Sequence, residues 1–279
     1  MSSDWSSDVC SSDLGVFASG KFDQYRQPMP FGAVVQVFQE LTRRILAGSD
    51  ADLAAWRERL LEAVGASGQL VVDLIPEVEL VIGPQPPVQP LPPTESRHRF
   101  RLVFQRFVRA FPDRDRPLVI FLDDLQWADD ATLALLRGLV VDPETDNLLV
   151  VGAYRSDAVG KGHPLYQVLD AIRRSDALWG LIALKPLSFV HTNQMVADTL
   201  HLPRDAVAPL AGIIQDRTQG NPLFIKEYLK SLHDGGQVRF DADRGVWGFD
   251  LDAIKAEAVS DDVVEFMRVK IGRLPEATR

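Results

Sequence analysis

Two adjacent carboxylates, Asp123 and Asp124, close the apolar run Leu118-Val119-Ile120-Phe121-Leu122, and they carry the most specific chemical signal in the chain. An uninterrupted apolar run of this length reads as a strand of a parallel sheet, covered by helices on both faces. In open α/β sheets, ligands bind beyond the carboxyl ends of the strands, where these acids would stand. A carboxylate there can hold Mg²⁺, directly or through water, against the phosphates of a nucleotide. The run has the form of a Walker B strand. A second reading stays open: a buried strand followed by Asp residues that cap the helix beginning near Asp129 or Asp130.

A nucleotide site also needs a phosphate-binding loop, G-x-x-x-x-G-K-S/T, upstream of such a strand. Gly15-Val16-Phe17-Ala18-Ser19-Gly20-Lys21-Phe22 almost matches and fails at two points. Phe22 stands where the hydroxyl that binds Mg²⁺ belongs, and an aromatic ring cannot replace that ligand. Val16-Phe17-Ala18 is apolar and β-prone, whereas the loop needs backbone amides free to curl around phosphate. The segment reads as a strand over residues 16–19 with Gly20 and Lys21 at its end. The Walker A loop is missing from this sequence.

A second candidate closes another apolar run, Asn147-Leu148-Leu149-Val150-Val151-Gly152-Ala153, which leads into Tyr154-Arg155. If the two strands are parallel, Arg155 shares an edge with Asp123 and can contact a γ-phosphate or stabilise developing charge. Pairing with a nearby acid explains it equally well. His98, His163, His191, His201 and His233 are scattered without the spacing of a metal site. No Gly-x-Ser-x-Gly marks a hydrolase. A formal charge of -9 argues against a nucleic-acid surface. The cluster Arg97, His98, Arg99, Arg101 and Arg106 reads as the solvated face of a helix. No apolar run approaches the roughly 20 residues needed to cross a bilayer. A single cysteine, Cys10, excludes internal disulfides and fits a reducing cytoplasm.

Positioning these residues takes a sheet and its helices, and 279 residues with 46% hydrophobic content suffice for one large domain and a smaller one. Val34, Val35, Phe38, Leu41, Ile45 and Leu46 give a helical spacing over 31–47. A second helix, with Asp50 or Asp52 as cap, carries Leu53, Trp56, Leu60, Leu61 and Val64 on one face. Residues 70–82 read as helical with an interruption at Pro76. The Pro-rich stretch 83–93 reads as an extended surface connector, and a helix over 95–110 leads into the acidic strand. A helix over 130–140 and a strand over 147–153 complete a strand–helix–strand unit, the signature of a parallel sheet. Residues 181–184 read as a third strand. Helical patterns follow over 190–200, 205–219 and 221–233, with Pro222 in a first-turn position after Gly220-Asn221. A hairpin pairs Val238-Arg239-Phe240 with Val246-Trp247-Gly248-Phe249, and a last helix covers 261–274. At the other end, Ser2-Ser3-Asp4, Ser6-Ser7-Asp8 and Ser11-Ser12-Asp13 mark residues 1–14 as low-complexity. They read as translated adapter sequence or as a genuine disordered tail, and not as a signal peptide.

Several of these blocks together resemble one family. They are Ala18-Ser19-Gly20-Lys21-Phe22-Asp23-Gln24, Leu122-Asp123-Asp124-Leu125-Gln126-Trp127-Ala128-Asp129, Gly152-Ala153-Tyr154-Arg155, Gly220-Asn221-Pro222-Leu223-Phe224, and the closing run from Val263-Val264-Glu265 to Arg273-Leu274-Pro275. From Gly15 to the C-terminus the chain is similar to the AAA-type, STAND-class signalling ATPase domain of large bacterial hybrid proteins. Those proteins join a serine/threonine kinase domain, this ATPase module, sensory domains and a histidine kinase. The resemblance implies an α/β fold: a P-loop NTPase-like parallel sheet flanked by helices over 15–189, a helical lid with hairpin over 190–258, and the start of a winged-helix domain over 259–279.

The resemblance also implies ATP (or ADP) and Mg²⁺ as ligands. Asp123 would be the magnesium acid, Asp124 the neighbour that orients or deprotonates water, and Arg155 the sensor of the γ-phosphate. Pro222 would sit in the Gly-x-Pro motif of the lid, against the adenine, while Trp127 is expected to pack. Asp124 is one methylene shorter than the Glu of many related ATPases, which implies slow hydrolysis. The family's Walker A loop belongs just upstream of Gly15, so the chain is expected to be an internal piece of a larger cytoplasmic protein and to bind ATP poorly by itself. The implied partners are adjacent kinase and sensor domains, with no nucleic acid and no membrane; a nucleotide-dependent oligomer is compatible with this. Two rival classes are a non-catalytic scaffold derived from an ATPase and a nucleic-acid-remodelling ATPase of the origin-recognition type. The acidic balance counts against the second.

Overall fold

The apolar run before Asp123 is the central strand of a three-stranded parallel sheet, in a computed structural model that describes residues 15–24 and 30–256. Its strands are β1 (Val16–Lys21), β2 (Leu118–Asp123) and β3 (Leu148–Gly152), in the order β1-β2-β3. The register runs from Val16↔Leu118 to Lys21↔Asp123 on one side and from Leu118↔Leu148 to Leu122↔Gly152 on the other. Parallel pairing brings the three carboxyl ends to one edge, and with them Lys21, Asp123 and the Ala153-Tyr154-Arg155 segment.

The near-match to a phosphate loop is therefore strand, and two of its residues have packing reasons. A Cβ on Gly20 would collide with the backbone carbonyl of Ala33, so glycine lets the following helix lie close against β1. Phe22 is buried in the same core as Ala18 and Leu122. In β2, Leu118, Ile120 and Leu122 are buried while Val119, Phe121 and Asp123 are half-buried. The expectation of burial on both faces holds fully for one face only. Side chains of a strand alternate between faces, and the described residues cover the second face less completely.

Helix α1 (Gly32–Leu46) packs on β1, and α2 (Asp50–Val64) follows it. The cap of α2 is Ser49, not Asp50 or Asp52. The Ser49 hydroxyl accepts from the Asp52 amide at 3.2 Å, and the Asp52 carboxylate takes the Ser49 amide at 3.3 Å and its hydroxyl at 2.6 Å. This capping box satisfies two donors that the first helical turn leaves unpaired. Short helices α3 (Gln69–Leu74) and α4 (Glu79–Ile82) flank a 3₁₀ turn at Pro76–Val78, the break expected at Pro76. The Pro-rich connector has no regular structure until α5 (Pro93–Arg109) begins. Arg99 holds it by donating to the Gln89 carbonyl at 2.8 Å, and Ser96 does so by donating to Leu91 at 2.9 Å. Further along α5, Phe104 and Phe107 pack on Phe38 of α1 with ring centroids 5.6 and 5.3 Å apart.

After β2, α6 (Asp130–Val141) is capped by Asp129, whose carboxylate accepts from the Thr132 amide at 2.9 Å. One of the acids after the strand is thus a cap, as the second reading allowed, but it is Asp129 rather than Asp123 or Asp124. Helix α7 (Pro164–Arg173) was not anticipated, although Pro164 at its first turn and the spacing Leu165, Val168, Leu169, Ile172 both point to it. The strand expected over 181–184 does not form: Leu181, Ile182 and Leu184 are 57%, 86% and 93% exposed and lie in irregular backbone. A strand needs a hydrogen-bonded neighbour, and no described strand pairs with this segment.

The chain divides into two compact units between Gly180 and Leu181. The second contains α8 (Phe189–Leu200), α9 (Arg204–Thr218), α10 (Pro222–Asp234), the antiparallel hairpin of β4 (Val238–Asp241) and β5 (Val246–Phe249), and α11 (Leu251–Ala256). It has its own core, built on Val196, Leu210, Ile214, Ile225, Leu232 and Ile254. The Ser-rich start with Cys10 and the helix expected over 261–274 lie outside the described residues.

Candidate functional site

Strand register and the turn that follows β2 together assemble the polar cluster at the carboxyl edge of the sheet. Lys21 and Asp123 are Cα partners across β1 and β2, so their side chains leave the sheet on the same face. The Lys21 ammonium lies 3.0 Å from Asp123 Oδ2 and 2.8 Å from Asp124 Oδ2. Asp124 reaches it because its backbone is left-handed, with φ 57° and ψ 40°. Aspartate tolerates that region better than most residues. The turn is closed locally, since Asp123 Oδ1 accepts from the Asp124 amide at 2.9 Å.

Gln126 ties this turn to the next strand. It is 5% exposed, donates Nε2 to Asp124 Oδ1 at 2.8 Å, and accepts the Arg155 amide on Oε1 at 3.1 Å. The Leu125 amide donates to the Ala153 carbonyl at 2.9 Å, and His163 Nε2 lies 3.2 Å from the Gln126 carbonyl. The tips of β2 and β3 are thereby one hydrogen-bonded unit. Sequence reasoning missed Gln126, because nothing in a linear pattern shows that one amide spans two strand ends. Lys21 was legible only as the end of a strand; its role needed the register.

Charge follows the geometry. The Lys21 ammonium, reinforced by the Gln126 amide and the more distant Arg155, holds the Asp124 carboxyl below the ordinary carboxylate range, against the opposing effect of burial. Asp124 first and Asp123 second raise the Lys21 ammonium above the usual lysine range. Arg155 stands at the same edge, but its guanidinium is turned to Asp157 at 2.8 and 3.3 Å, and both side chains are exposed. Trp127 does not pack as expected: it is 44% exposed. It ends the 3₁₀ turn Leu125–Trp127, whose first two residues face inward.

Two carboxylates with their oxygens already turned on a cation are a donor set that fits Mg²⁺, a hard ion that takes oxygen ligands. The ammonium of Lys21 is the ion that stands there. Among the described residues no group of three or more His, Cys, Asp or Glu could hold a metal, and no helix is long and apolar enough to cross a membrane.

In the second unit, Pro222 occupies the first turn of α10. The Asn221 side chain caps that helix by accepting from the Leu223 and Phe224 amides at 3.0 and 3.4 Å. Gly220 has φ 72°, its carbonyl accepts the Leu187 amide at 2.8 Å, and a Cβ there would strike Leu187 backbone. The Gly-Asn-Pro turn is thus fixed by its own unit.

A family model described as AAA ATPase domain matches residues 6–151, just over half of the chain. The chain belongs to the AAA ATPase domain family. The match includes β1, β2 and nearly all of β3, and the helix-flanked parallel sheet is the P-loop NTPase-like fold expected of such a domain. Domains of this family bind nucleotide with a divalent metal. A second match, to a domain of unknown function, covers residues 204–243. The chain is 27% identical to hybrid signal transduction histidine kinase G of Dictyostelium discoideum over 314 aligned residues, covering 90% of this chain and 9% of that protein. It is 20% identical to peroxide stress-activated histidine kinase mak3 of Schizosaccharomyces pombe, covering 97% of this chain and 13% of that protein. The related mak2 kinase of the same yeast is 26% identical over 53% of this chain and 6% of its own length. This AAA ATPase domain chain therefore spans only about a tenth of the curated relatives it matches. No solved structure matches it significantly.

Proposed function

We propose that this AAA ATPase domain chain is the nucleotide-responsive part of a cytoplasmic, STAND-class signal-transduction module in a multidomain kinase of the two-component type. The observation that supports it best is the meeting of Asp123, Asp124 and the Arg155-bearing tip of β3 on one sheet edge, joined through Gln126. ATP with Mg²⁺, when bound, supplies phosphate oxygens for the metal and the differential affinity that shifts a signalling equilibrium. Asp123, last in its strand, would hold the metal, as a Walker B acid does. Asp124, kept ionised by its neighbours, can orient a water, and being short it does so weakly, so turnover is slow and serves as a reset. Arg155, hinged by its backbone to Gln126, can leave Asp157 for a γ-phosphate, since ion pairs as exposed as this one contribute little. A ligand shifts such a switch only by as much as its affinities for the two states differ.

The chain itself is expected to bind ATP weakly, because β1 is not a phosphate loop and two acids repel a triphosphate. Calorimetric titration of Mg-ATP into this chain and into a form extended upstream through a G-x-x-x-x-G-K-S/T segment tests the proposal. Binding by the extended form only, reduced at least about tenfold by Asp123→Asn, is the expected outcome. If the extended form does not bind either, the switch gives way to a scaffold that uses the domain for protein contacts alone.

A further inference from the structure

Lys21 is unexplained by folding needs. It is 64% exposed in its side chain, and exposed ion pairs contribute little to stability. Yet its position is set by the sheet rather than by chance. It is the last residue of β1, its Cα is in register with Asp123, and its own amide donates to Gln36 Oε1 at 3.1 Å. Pairing continues past it, with the Phe22 amide donating to the Asp123 carbonyl at 3.1 Å. A side chain so anchored delivers one ammonium to two carboxylates that would otherwise face each other as like charges. The Gln126 amide holds Asp124 in place for the same ammonium.

We infer that Lys21 is the resident counter-cation of the Asp123–Asp124 pair, which disfavours free divalent cations and yields the acids when a cation arrives with phosphate oxygens that can take the ammonium. The inference rests on the proposed role of Asp123 as a metal ligand. A bare divalent ion must displace Lys21 and leave the ammonium beside it without a partner. An ion carried on a polyphosphate brings that partner along. Loading of metal and of nucleotide would thereby be coupled by one strand-borne side chain.

Titration of Mn²⁺ alone, followed by electron paramagnetic resonance, into the full chain and its Lys21→Met, Lys21→Arg and Asp123→Asn variants tests this. Two exposed ion pairs of ~0.2–1 kcal/mol each correspond to Mn²⁺ binding about 2- to 30-fold tighter in Lys21→Met than in the unaltered chain. Lys21→Arg should keep the exclusion, and Asp123→Asn should abolish binding. Circular dichroism of Lys21→Met should be unchanged. Equal or weaker binding in Lys21→Met, with binding still lost in Asp123→Asn, overturns the counter-cation role and leaves the acid pair as a metal site. No binding in any of the four overturns both.

Discussion

At the scale of single residues, backbone position rather than residue type decides what each polar group does. Asp124 faces Lys21 because its φ is positive, while Asp129, five residues on, caps a helix. Asp52 belongs with Asp129, since its carboxylate completes the capping box of α2. The Ser49 hydroxyl, with the Ser49 amide second, holds the Asp52 carboxyl below the ordinary carboxylate range. A carboxyl lowered in the folded state stabilises the fold above its unfolded value and loses that contribution as pH falls through the folded one. The chain should therefore be more stable than its Asp52→Asn variant at pH 6. The urea midpoints of the two should converge as pH drops below about 3.9, the ordinary value. Parallel curves down to the acid limit would show that the capping carboxylate contributes nothing.

Among elements, β3 stands out. Its residues are apolar, yet Leu149 and Val151 are 57% and 40% exposed. Only one of its edges is paired among the described residues, that with β2. Exposed apolar edge strands are templates for aggregation. Leu149→Lys should slow aggregation, read by light scattering at a temperature just below melting, while changing stability by no more than about 0.5 kcal/mol, as surface substitutions usually do. A large loss of stability instead would mean that Leu149 is buried in solution. The same chemistry explains why 181–184 misled. Leu181-Ile182-Ala183-Leu184 has strand composition, but strands exist only in pairs, and composition does not say whether a partner is present.

For the whole molecule, the two compact units each own a hydrophobic core, one centred on residues such as Phe38, Phe104 and Leu122, the other on Leu210 and Ile214. Phe104→Ala should cost the first unit about 3–5 kcal/mol and Leu210→Ala the second about 2–5 kcal/mol. Hydrogen exchange followed amide by amide should show protection lost in the mutated unit and kept in the other; loss throughout would make the chain a single cooperative body. Most of this architecture was legible in the sequence. Apolar period placed β2, β3, α1, α5, α6 and the three longer helices of the second unit, α8, α9 and α10, but not α11, and the composition of the Leu122–Asp129 block marked the acid pair. Those are local properties, carried by neighbouring residues along the chain. The sequence alone also excluded Gly15–Phe22 as a phosphate loop, because Phe22 has no hydroxyl. What only the tertiary structure decided is non-local: the Lys21↔Asp123 register, the amide of Gln126 between two strand tips, the turn of Arg155 to Asp157, and the absence of a strand at 181–184. Each depends on which segments lie side by side, and a linear pattern does not encode that, because strand pairing is set by the packing of the whole sheet.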